Sequence, residues 1–136
     1  MGLDIYVRWD DITEAERDAQ ITGFADAPEF GYLRFNWHGV SVMRDFAANN
    51  GLTNPIRETF QDWDGGNGEG YSVTRDKLDR LLAYQSRLEG WLIEHPVTER
   101  TEDEWKYYHR KIEGWVKFID FIHGKIDKPG LAVVYG

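Results

Sequence analysis

The sequence predicts an α+β fold: a small antiparallel sheet packed on a long antiparallel helical hairpin. Three observations lead there. Residues 3–9 (LDIYVRW) and 31–38 (GYLRFNWH) alternate apolar and polar side chains, the period of half-buried strands. Trp105, Tyr108, Ile112, Trp115, Ile119, Ile122 and Ile126 recur at alternating spacings of three and four, the stripe of a long amphipathic helix. A second helical stripe, Leu78, Leu81, Leu82, Leu88, Trp91 and Leu92, precedes it across a short loop, and long helices so joined fold back on each other.

The elements follow in order. In the first strand Leu3, Ile5, Val7 and Trp9 face one way and Asp4, Tyr6 and Arg8 the other. Thr13-x-x-Glu16 reads as a capping box opening a short helix through Gln20. Residues 21–31 (ITGFADAPEFG) read as loop. In the second strand Leu33, Phe35 and Trp37 are expected in the core, with Tyr32, Arg34, Asn36 and His38 on the other face. Ser41 is expected to cap a helix through about Asn49, stopped by Asn49-Asn50-Gly51. Pro55 confines any helix in 52–63 to the residues after it, and DGGNGEG (64–70) is an irregular loop. Thr74 caps the first long helix and His95-Pro96 ends it, because proline disfavours helix at the residue before it. Thr101-x-x-Glu104 reads as a capping box for the second, with Thr98 a rival start. Pro129-Gly130 turns the chain into a last strand, 131–135. The three strands would lay their apolar face on the hairpin within a single domain, residues 1–136. The alternative is a helical dimer joined through the 105–126 seam, so monomer and homo-oligomer both stay open.

Composition narrows the function classes. The chain has 136 residues, 24 acidic and 16 basic, for a net charge of −8. Residues 1–70 carry 13 acids against 5 Arg and no Lys, whereas residues 71–136 are balanced, so the net charge belongs to the first half. Such acidity argues against direct nucleic-acid or anionic-membrane binding and suits a basic protein partner. Aromatic residues make up 15%, enough for a real core despite a mean hydropathy of −0.59. No apolar run reaches the length of a membrane span, and the first residues lack the pattern of a secretory signal. With no cysteine, thiol nucleophiles and disulfides are excluded, and a reducing cytoplasm is compatible.

The N-terminal third carries a resemblance. MGLDIYVRWD, QITGF (20–24), GYLR (31–34) and HG (38–39), with the ending LAVVYG, together resemble a group of small uncharacterised proteins of phages and prophage-bearing bacteria. Their pattern opens GLDIYL-x-W, continues with a TGF segment and then has GYLR followed by HG. The likeness stops after Gly39, apart from the ending. It implies a phage context, the cytoplasm of a bacterial host, and no established activity, so no catalytic residue is carried over.

Four constellations could carry chemistry. In DWDGGNGEG (62–70), Asp62, Asp64, Asn67 and Glu69 could offer oxygen ligands to a cation. The EF-hand spacing fails, because Gly66 takes the third ligand position and Asn67 the place of the invariant glycine. The plainer reading is an irregular loop, so no metal is expected, with Asp62 and Asp64 as weak candidates. On the last long helix His109, Glu113, Asp120 and His123 share one face, but the two pairs are too far apart for one ion, and a solvated polar face is expected. Glu94-His95 reads as a contact with a helix C-terminus. The polar sheet face is the better site: Tyr6, Arg8, Tyr32, Arg34, Asn36 and His38 would bring guanidinium forks, stacking rings and a titratable group to one surface. Its plainer reading is a face that is polar because it meets water.

No catalytic residue and no cofactor is expected. The first functional reading is a phage-type accessory protein that binds a host protein, with a counter-defence role among its uses. Its candidate contacts are the acids Asp10, Asp11, Glu14, Glu58, Asp62, Asp64 and Glu69. The second is a module that binds or sequesters a small, nucleotide-like ligand on the sheet face. The third is a small metal-dependent hydrolase.

Overall fold

The computed structural model describes residues 2–21, 26–59 and 71–135. Strand β1 (Gly2–Arg8) lies between β2 (Tyr32–Asn36) and β4 (Ala132–Tyr135), and β4 also pairs with β3 (Tyr71–Ser72). All pairings are antiparallel, in the order β2-β1-β4-β3. The sheet therefore has one strand more than the sequence predicts, because two residues are too few to show a period. Ile5 stands opposite Leu33 and Val7 opposite Val133, and all four are wholly buried. The other face pairs Asp4 with Arg34, Tyr6 with Tyr32 and Arg8 with Ala132.

β2 is shorter than its alternation suggests. Helix α2 (Trp37–Asn49) starts directly after Asn36, so His38 is helical and does not continue the strand's polar face. Two residues of a first helical turn imitate alternation, and the period carries the strand past its end. Ser41 accordingly lies inside α2 rather than at its cap. The stop is as expected: Gly51 takes the left-handed backbone conformation at φ +76°. A short helix, α3 (Pro55–Thr59), opens on its proline, where the missing N–H costs nothing.

Helix α1 (Glu14–Gln20) begins with the predicted capping box: Glu16 N–H donates to Thr13 Oγ1 at 3.1 Å and Thr13 N–H to Glu16 Oε1 at 3.1 Å. Residues 28–30, expected as loop, form one turn of 3-10 helix that Pro28 starts. Helix α4 (Arg75–Glu94) is capped by Thr74 and ends at His95, as predicted. Helix α5 (Asp103–Gly124) differs at its start. Its N-cap is Glu102 and no side chain caps it. The Thr101 hydroxyl instead accepts from Thr98 N–H at 2.8 Å and closes the turn before the helix.

α4 and α5 run antiparallel. Gln85 reaches Val116 and Asp120, while Trp91 meets Trp105 and His109, so positions rise on one helix as they fall on the other. Tyr108, Ile112, Trp115, Ile119 and Ile122 are buried in the core shared with the sheet. The 105–126 seam is thus intramolecular. α5 also buries Phe118, Lys111 and His109, because it touches both α4 and the sheet. A Cβ at Gly114 would stand 3.7 Å from Leu33, so the helix lies close on β2. The expected solvated face fails at His109, which is only 7% exposed, and holds at the exposed Asp120 and His123. Among the described residues no helix is long and apolar enough to cross a membrane.

Candidate functional site

The outer face of β1 and β2 gathers four of the predicted ligand residues. The Tyr6 and Tyr32 rings stack at 5.1 Å, and the Arg8 guanidinium lies 4.4 Å from the Tyr6 centroid. Tyr32 Oη donates to Asp4 Oδ1 at 2.7 Å, and Arg34 Nε stands 3.9 Å from the same oxygen. Tyr32 is only 2% exposed, and burial followed by the Asp4 carboxylate holds its phenol well above the usual range. Burial and Asp4 raise Tyr6 as well. Burial, reinforced by the nearby Arg17 charge, lowers the Arg8 pKa, and Arg8 Nη1 is buried with no hydrogen-bond partner among the described residues. Asn36 shares this face by register, whereas His38 leaves it in α2; only the backbone of these two residues is described. The face is therefore less open than its composition suggests, since Asp4 already satisfies Tyr32 and approaches Arg34.

Behind it lies a clamp that periodicity does not show. Lys111 Nζ, from α5, stands 2.6 Å from Asp26 Oδ2 and donates to the Arg34 carbonyl at 2.8 Å, while Arg34 N–H donates to Asp26 Oδ1 at 2.7 Å. Next to it, Ala27 and Tyr32 exchange two backbone hydrogen bonds of 3.0 Å. At Tyr32 and Arg34 the outer edge of β2 is thereby satisfied, which blunts it as a template for pairing with another chain. The one sequence signal is that Lys111 adjoins the apolar stripe at Ile112.

The predicted acidic contacts separate into three groups. Asp10, Asp11 and Glu14 stand together, exposed, in the turn and first residues leading into α1. Glu58 lies elsewhere, on α3, with its charge near Tyr84. Asp62, Asp64 and Glu69, with the rest of the DGGNGEG loop, fall outside the described residues. The first group sits on a rigid base. Gln20 is buried, and its Nε2 donates to the carbonyls of Val7 at 3.0 Å and Phe30 at 2.8 Å, tying α1 to β1 and the 3-10 turn. Beside that tie two large apolar side chains reach water: Ile21 is 55% exposed and Phe30 47%. Glu16 is held below the ordinary carboxylate range, first by the Thr13 backbone N–H and then by its hydroxyl.

A pocket of about 400 Å³ opens between α4 and the 50–53 loop. Trp91 Nε1 donates to Asn50 O at 3.1 Å and Tyr84 Oη to Thr53 O at 2.8 Å, so both ends of the loop are fixed to α4. The His95 ring lies flat on Trp91 at 4.4 Å, with Nδ1 2.9 Å from Trp91 O, in keeping with the helix-terminus contact predicted for it. Below, Phe46, Trp105 and Tyr108 complete an aromatic cluster around Trp91. His109 borders it, with Nδ1 2.8 Å from Glu113 Oε1 and a buried Nε2 without a partner among the described residues. Among the described residues no three His, Asp or Glu side chains are placed to hold a metal ion. No protein-family model, curated protein or solved structure matches the chain.

Proposed function

We propose that the protein acts by binding a host protein through the edge formed by the β1–α1 turn, α1 and the 3-10 turn at 28–30. The observation that carries this reading is the exposure of Ile21 and Phe30 on a braced base, with exposed Asp10, Asp11, Glu14, Asp18 and Glu29 on the same segments. An apolar centre with a charged rim is the usual anatomy of a protein interface, and the rim's sign selects a basic partner. The likeness of residues 1–39 to phage and prophage proteins supports a bacterial protein as that partner, and a counter-defence role is one outcome of such binding. The sheet face is less suited, because its side chains are largely engaged with one another.

The test compares capture from bacterial lysate by the wild-type chain, by Ile21→Ser/Phe30→Ser and by Asp11→Lys/Glu14→Lys. A stoichiometric partner is expected with the wild type. The apolar pair should weaken it about tenfold or more, the scale of losing about 1.4 kcal/mol of contact. The charge reversals should slow association and abolish its salt dependence. A partner captured equally by all three chains, or by none, overturns the reading.

A further inference from the structure

We infer that the pocket between α4 and the 50–53 loop is a mononucleotide site, with Arg87 at the phosphate end, Glu94 at the base end and a preference for guanine. This goes beyond the proposed partner-binding edge and concerns a different class of ligand.

Arg87, Gly90, Trp91 and Glu94 follow one another on one face of α4 and line the pocket, with His95 closing its end. Arg87 and Glu94 are seven residues apart, about 10 Å along the axis at 1.5 Å per residue. Neither makes an ion pair among the described residues. Two opposite charges at the two ends of one pocket, too far apart to neutralise each other, suit a ligand that is anionic at one end and donates hydrogen bonds at the other. The Arg87 guanidinium lies 5.4 Å from the Tyr84 ring centroid, which steadies a fork suited to phosphate oxygens.

Between the charges the floor is bare. Gly90 lies within a 20-residue helix, where glycine costs stability, and a Cβ there would meet no atom within 4 Å. The missing side chain leaves room for a flat ring over the helix, and the imidazole fixed on Trp91 supplies a planar neighbour at the Glu94 end. The volume, about 400 Å³, lies within the range of small-ligand sites. The loop wall is preformed by the Trp91 and Tyr84 hydrogen bonds. Guanine is selected by Glu94. A carboxylate only accepts, and guanine alone among the common bases presents two adjacent donors, N1–H and the 2-amino group, to its two oxygens.

The test uses the purified 136-residue chain, with thermal shift and calorimetry against GMP, AMP, CMP, UMP, guanosine and inorganic phosphate. GMP is expected to raise Tm most. Arg87→Ala should weaken GMP at least tenfold while leaving guanosine unchanged, and Glu94→Gln should erase the preference for GMP over AMP. Gly90→Leu should keep or raise the ligand-free Tm and lose the GMP response. No response to any mononucleotide at millimolar concentration overturns the inference. So does an equal shift with phosphate alone, an equal response to GMP and AMP, or a GMP response that survives Gly90→Leu. If Gly90→Leu does not fold, the Arg87 and Glu94 variants decide the matter. No partner enters these measurements, so their failure leaves the capture experiment untouched.

Discussion

Lys111 and Asp26 form an ion pair of 2.6 Å in which only 8% of the lysine side chain is exposed, and together they bind both backbone polar groups of Arg34. A buried ammonium is costly unless paired and hydrogen-bonded, and here both conditions are met by the edge it seals. One pair therefore joins α5, β2 and the segment before the 3-10 turn.

Removing both partners together is expected to cost less than the two separate removals added up. Lys111→Met should destabilise by about 2–3 kcal/mol, below the 3–5 kcal/mol of fully buried pairs because Asp26 remains 23% exposed. The Asp26→Asn/Lys111→Met double variant should lose less than the sum of its singles. Urea unfolding of the four chains measures the coupling, and additive losses would show that the pair contributes nothing as a pair.

Two glycines are expected to respond in opposite directions to alanine. Gly31 has φ +81°, and a Cβ there would stand 2.7 Å from the Phe121 ring. Gly31→Ala should cost about 2–4 kcal/mol, combining left-handed strain with overpacking. Gly90→Ala should stabilise by about 0.5–1 kcal/mol, because it removes a flexible helical residue without a clash. Thermal unfolding of both variants provides the comparison.

Alkaline pH should weaken the fold. Burial raises the phenols of Tyr84 and Tyr32 above the ordinary value of 10.0, so above that pH the unfolded chain sheds protons that the folded chain keeps. Their contribution is complete below pH 10 and is lost progressively as pH rises beyond it. Tyr84→Phe should flatten this decline. At neutral pH it should cost about 1 kcal/mol for the lost hydrogen bond to Thr53.

The α1 cap should show the opposite dependence. Thr13→Ala is expected to cost about 1 kcal/mol. Glu16 is held below its ordinary range by the same box, so its contribution is present above that range and disappears as pH falls through the lower folded value. Glu16→Gln should flatten the acid limb of a stability–pH curve, measured by chemical unfolding across the acid range.

Much of the architecture was legible because it depends on neighbours in the chain. Alternation marks β1, the three-four spacing marks α5, and Thr13, Thr74, Gly51 and His95 announce their helix ends through bonds or backbone conformations spanning a turn or less. Where two local signals compete, the reading slips: Thr101 could cap a helix or close a turn, and the structure uses it for the turn.

The candidate site divides along the same line. Spacing and composition alone establish the α+β class, the alternating face that carries Tyr6, Arg8 and Arg34, and the acidic first half. Long-range packing, by contrast, sets Asp4 on Tyr32 and near Arg34, buries Lys111 and His109, leaves Ile21 and Phe30 exposed, and places Gly90 on the floor of an open pocket. Period and capping act over a few residues and are written in spacing. Burial of a lysine or the emptiness above a glycine depends on which distant segment arrives opposite, and Asp26 lies 85 positions from the lysine it pairs with.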